Sequence, residues 1–172
     1  MKKFLVIAAL LVSMVVIYLY MQELSFSPLK EKEFKMLFPN YNGVGEKKCG
    51  IDFLGINFKG EVFEFYLYKM NNTKVDTSHP KFKNEWENKE LNTEAIVLKW
   101  KSCPIDTATM ALYKFTLTAN NLEEKECSRL FNDELSNPKN YYSYVYFNEL
   151  ENYFLLYCPD KGNLYYIRRK GF

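Results

Sequence analysis

The chain has 172 residues, 48% of them hydrophobic and 17% aromatic, with 23 Lys and Arg against 21 Asp and Glu and a single histidine. A net charge of only +2, with no basic cluster, argues against a nucleic-acid partner. The sequence has no Gly-rich phosphate loop, Gly-x-Ser-x-Gly turn or His-Glu-x-x-His helix, so none of these catalytic signatures is present and no cofactor is expected.

Met1-Lys2-Lys3 precedes an apolar run from Phe4 to Tyr20 that only Ser13 interrupts, and the next charge is Glu23. As an α-helix rising about 1.5 Å per residue, this run covers roughly 25 Å, near the lower limit for crossing a hydrocarbon core of about 30 Å. A cleaved signal would end in a small-x-small site. Tyr18 to Leu24 offers large residues instead, and the pair Ser25 and Ser27 is followed by Pro28. A pilin-type leader would need a Gly before its cleavage point and a Glu shortly inside the helix, and both are missing. Residues 1–22 are therefore expected to be an uncleaved signal-anchor. Residues 4–20 would lie in the membrane, with Tyr18 and Tyr20 at its surface. Lys2 and Lys3 hold the N-terminus inside, which makes this a single-pass protein of the inner membrane with residues 24–172 as one extracytoplasmic (periplasmic) domain. Two of the basic groups lie in the anchor, so the exported part is formally neutral.

Ser27-Pro28 reads as an N-cap and first helical position. Leu29, Phe34, Leu37 and Phe38 then form an apolar face that Pro39 ends. Residues 40–45 are loop, and Ile51 to Phe58 is strand-like. Glu61 to Met70 alternates clearly, with Phe63, Phe65 and Leu67 on one face, and is expected to pair with the preceding strand through Lys59-Gly60. The polar stretch 71–92 predicts either a short helix near 85–89 or an exposed working loop around Trp86. Strands follow at Glu94–Trp100 and Met110–Thr118. A helix capped by Asn120 or Asn121 runs to Leu135, with Glu123 and Glu124 in its first turn. Tyr141–Phe147, Tyr153–Cys158 and Leu164–Arg169 are three strands joined by short turns, a C-terminal antiparallel meander that the helix should cover. The expected fold is α+β: an N-terminal transmembrane helix, then one mainly antiparallel sheet domain with one or two packed helices.

Cys49, Cys103, Cys127 and Cys158 make an even number in an exported domain, which reads as two disulfides. Cys49–Cys103 with Cys127–Cys158 is the preferred connectivity, because the second bridge would tie the helix to the meander. Zinc is disfavoured, since the cysteines lack Cys-x2-4-Cys spacing, so no metal is expected. A catalytic thiol would need a base, and the only histidine, His79, lies in a polar Ser-His-Pro segment.

Tyr142, Tyr144 and Tyr146 share one face of their strand. They read either as cross-strand packing on a half-exposed sheet or, with Trp86, as a candidate contact surface. Asp52, Asp106 and Asp160 sit in turn-like settings, and Glu123, Glu124, Glu126, Asp133 and Glu134 on a helix surface, so no catalytic carboxylate pair emerges. The sequence points to a non-catalytic envelope module that binds another protein, such as an immunity or inhibitor protein. The alternative is a small envelope hydrolase acting through acidic residues.

Overall fold

Strands in the C-terminal half carry large side chains on both faces, so they fold only where both faces are covered. The computed structural model, which describes residues 7, 10–17, 27–55, 61–71, 73–82, 85–87, 89–117 and 128–171, provides that cover with a layer on each side of one sheet. The elements in chain order are α1 (Glu31–Leu37), β1 (Glu46–Asp52), β2 (Val62–Lys69), β3 (Glu85–Trp86), β4 (Lys89–Glu90), β5 (Ile96–Ser102), α2 (Thr107–Leu112), α3 (Lys114–Leu117), α4 (Phe131–Ser136), β6 (Tyr141–Asn148), β7 (Glu151–Cys158) and β8 (Asn163–Lys170). Six strands form an antiparallel sheet in the order β1-β2-β8-β7-β6-β5, and β3 and β4 pair as a separate hairpin.

The expected meander β6-β7-β8 is present and forms the middle of the sheet, where every residue of β7 is buried. On one face Tyr66, Tyr68, Val145, Tyr153, Leu155, Tyr157 and Tyr166 pack under α1 and the segment around Phe82 and Trp86. On the other, Phe63, Phe65, Tyr142, Tyr144, Phe154, Leu156, Tyr165 and Ile167 pack under α2, α3 and α4. Each wholly buried Phe or Leu contributes about 1.5–3 kcal/mol. Phe131 of α4 stands 5.6 Å from Tyr165 and edge-on to Phe65, so the described end of the expected helix does cover the meander.

Several elements differ from the sequence reading. α1 begins three residues beyond Pro28, because the Glu33 carboxylate accepts the Lys30 N–H and closes the first turn there. β1 lies upstream of the expected 51–58, and its link to β2 is longer than Lys59-Gly60. Residues 85–90 form a two-stranded hairpin, not a helix. The described part of the expected strand 110–118, up to Leu117, is helical: Asp106 caps α2 by accepting the Thr109 N–H at 2.7 Å, and Thr109, Tyr113, Thr116 and Leu117 recur at helical spacing as the buried side. The expected cap at Asn120 or Asn121 lies outside the described residues. Among the described residues no helix is long and apolar enough to cross a membrane. Of the expected anchor, 1–22, only residues 7 and 10–17 are described, and 10–17 are helical.

Candidate functional site

The pairing of β2 with β8 places Glu64 opposite Arg168 on the α1 face. Arg168 Nη1 donates to Glu64 Oε2 at 3.2 Å, and its Nε donates to Glu87 Oε2 at 2.7 Å. The Tyr166 hydroxyl donates to the other oxygen of Glu87. Glu87 sits at the tip of the β3–β4 hairpin with φ +48°, a backbone conformation that costs a non-glycine residue about 1–2 kcal/mol and that these two bonds help hold. Burial raises the Glu64 carboxyl above its ordinary range against the pull of Arg168. Burial likewise opposes the Arg168 charge, but Glu87 and Glu64 outweigh it and keep the guanidinium protonated.

This cluster clamps the hairpin to the sheet. On its other side Lys89 pairs with Glu151 and lies 4.4 Å from the Phe147 ring centroid. A hydrolase needs a carboxylate open to substrate, whereas Glu64 and Glu87 both accept hydrogen bonds from one guanidinium. The adjoining cavity, bounded by Ser27, Leu29, Lys30, Glu33, Glu87 and Arg168, has about 120 Å³. Substrate pockets usually have about 300–1,000 Å³.

The cysteines are arranged differently from the expected pairs. Cys103 follows β5 and Cys158 closes β7, with β6 between them: Ser102 is opposite Tyr141, and Tyr141 is opposite Tyr157. Two strand spacings, about 9.5 Å, exceed the Cα separation of about 7 Å that a disulfide tolerates. Both are free, buried thiols, so neither Cys49–Cys103 nor Cys127–Cys158 is formed. Cys49 is disulfide-bonded, and Cys127 lies outside the described residues. Burial, then the neighbouring Glu134, pushes the Cys103 thiol up to about 12 and raises Cys158 as well, which leaves neither as a ready nucleophile. His79 lies on the opposite face, its Nδ1 3.1 Å from Asp76 and from the Ser78 hydroxyl, so it serves neither thiol. Among the described residues no group of three or more His, Cys, Asp or Glu side chains could hold a metal ion.

The tyrosine stripe lies mostly in the core. Tyr142 is fully buried, stacks 6.2 Å from Phe154 and donates its hydroxyl to Asp106, the cap of α2. Tyr144 packs 5.2 Å from Tyr113, whose own hydroxyl ties together the carbonyls of Val145 and Tyr153. Trp86 is enclosed by Phe82, Tyr153 and Tyr166. Tyr142, Tyr144 and Trp86 are therefore not a contact surface, because the helical layer and the hairpin cover them. Tyr146 alone of the four remains half-buried.

Tyr146 borders a cleft of about 910 Å³. α2 and α3 supply one wall through Ala108, Ala111, Leu112 and Lys114, and the β6–β7 turn and β8 supply the other through Glu149, Leu150 and Arg169. Alanines at 108 and 111 leave space beside the sheet that larger side chains would fill. Leu150 is 55% exposed, and Ile96, opposite Tyr146 in β5, is 46% exposed. Sequence reasoning missed this cleft because its signal, two small residues on a helical face, disappears when that segment is read as a strand. Comparisons with protein-family models, curated proteins and solved structures find no match for this chain.

Proposed function

We propose that this protein is a membrane-anchored envelope module that acts by binding another protein, without catalysis, through the cleft between α2 and the β6–β7 turn. The observation that carries this reading is the lining of the cleft: apolar and small side chains dominate, with Lys114, Glu149 and Arg169 as its charged groups and no thiol or histidine. Its apolar and small side chains suit an apolar side chain of a partner. An inhibitor of an enzyme or toxin in the envelope is one form such a module would take. The hydrolase alternative draws no support from Glu64 and Glu87, which a single arginine occupies.

The anchor is supported by residues 10–17. They form a helix whose apolar side chains are all more than half exposed, and the one polar side chain, Ser13, donates its hydroxyl to the Leu10 carbonyl. A helix apolar all round with its polar groups satisfied internally suits lipid. On this reading Lys2 and Lys3 stay inside and the domain faces outward.

The test is affinity purification of the full chain, in mild detergent, from its own envelope. Wild type and a Val44→Glu control should recover one partner protein in stoichiometric yield, and Leu150→Glu should lose it. Wild type recovering no partner, or Leu150→Glu recovering it in full, would overturn the proposal.

A further inference from the structure

The two edges of the sheet differ in a way that indicates how a partner would dock; this inference rests on the binding reading above. At one edge, β1 begins with exposed Glu46, Lys47 and Lys48, and its register with β2 shifts between Lys47 and Cys49. Charged side chains and an irregular ladder discourage a further strand. At the other edge, the second half of β5 is closed. Its register with β6 shifts between Leu98 and Lys101, and the Trp100 N–H donates to the His79 carbonyl at 2.7 Å. The first half is open: Ile96, Val97 and Leu98 run in regular register with Tyr146, Val145 and Tyr144, and no described strand lies on their other side. Ile96 and Val97 are 46% and 45% exposed.

This open stretch adjoins the cleft. Ile96 lies directly across from Tyr146, a lining residue, so both side chains stand on the cleft face of the sheet. Alternate side chains of a strand added beside Ile96–Leu98 would project onto that same face. Three basic groups stand against two acidic ones: Lys114 and Arg169 line the cleft with Glu149, and the exposed Lys99 follows Leu98 on the edge strand while Glu94 precedes Ile96.

We propose that Ile96–Leu98 accepts an added β-strand from the partner, an extended acidic segment that seats one large apolar side chain in the cleft. Backbone pairing would supply register, the apolar side chain affinity, and the carboxylates selectivity against basic segments.

The probe is a random twelve-residue peptide library displayed on phage and selected on the full chain in lipid nanodiscs. The expected winners are net negative with apolar residues at alternate positions. The best of them, as a synthetic peptide, should slow amide exchange at least tenfold at the amide within Ile96–Leu98 that faces the open edge. A version N-methylated at the alternate amides that face the Ile96–Leu98 edge keeps every side chain but cannot donate to that edge, and should bind at least tenfold more weakly. This comparison needs no change to the protein and so does not depend on how a variant folds. Net-positive winners would overturn the acidic segment, and no enrichment or undiminished binding of the N-methylated peptide would overturn strand addition. A peptide that binds and loses affinity with Leu150→Glu, yet leaves exchange at Ile96–Leu98 unchanged, would overturn strand addition and leave the binding module standing. Partner recovery unaffected by Leu150→Glu would remove the binding reading itself.

Discussion

Glu64 and the free thiols carry the sharpest residue-level consequences. A carboxyl whose pKa is higher in the folded than in the unfolded chain contributes stability while protonated. That contribution is fully present below the ordinary value near 4.5 and is lost as pH rises through the folded value. Glu64→Gln has nothing to titrate there. Thermal unfolding of the full chain in detergent should therefore show the variant gaining on wild type between pH 4 and pH 7; a variant that loses ground over that interval would contradict the burial of Glu64. For the cysteines, alkylation of unreduced native protein should be very slow, because Cys103 and Cys158 are buried with raised pKa values. Alkylation after denaturation, still unreduced, should label two cysteines per chain, and peptide mapping should place both labels at 103 and 158. Labelling of none would restore the two-disulfide reading, and labelling of four would remove Cys49 from a disulfide. Parity of cysteines was legible in the sequence; the interposed β6 that separates Cys103 from Cys158 was not, since it is a property of strand order.

Elements with strong local signals were read correctly, and those decided by tertiary contacts were not. The β7–β8 connection is an example of the first kind. Pro159, Asp160 and Gly162 mark a turn, and the chain makes a single 3-10 turn at Pro159–Lys161 that ends on Gly162 with φ +57°. A Cβ on Gly162 would stand 2.5 Å from the Met70 carbonyl oxygen, while the Gly162 carbonyl accepts the Met70 N–H at 2.7 Å. Gly162→Ala should cost about 1–3 kcal/mol and lower the unfolding midpoint by several degrees, whereas an unchanged midpoint would show that the turn relaxes freely. The 85–90 hairpin is of the second kind. Nothing local favours a strand in Glu-Trp-Glu-Asn-Lys-Glu, and it is held by Arg168 and Tyr166 of β8 and Glu151 of β7, residues 60 or more positions away along the chain. Met110–Thr118 likewise reads as a strand until Asp106 is recognised as the cap of a helix that begins at Thr107.

At the scale of the whole molecule, the antiparallel sheet and its central meander were legible because period-two alternation survives burial on one face or two. The second covering layer was not, since Tyr142, Tyr144 and Trp86 look alike as core or as contact surface until their neighbours are known. With both faces of the sheet covered, the open half of β5 and the cleft beside it lie together on the described surface. The proposed binding function is placed there. Site-specific photo-crosslinking in the native envelope tests this claim most directly, with benzoylphenylalanine placed in the full chain at Ile96, at Leu150, or at Val44, which is 52% exposed and lies outside the cleft lining. The account predicts one partner protein attached at Ile96 and Leu150 and none at Val44. An adduct confined to Val44, or no adduct at either cleft position, would contradict it.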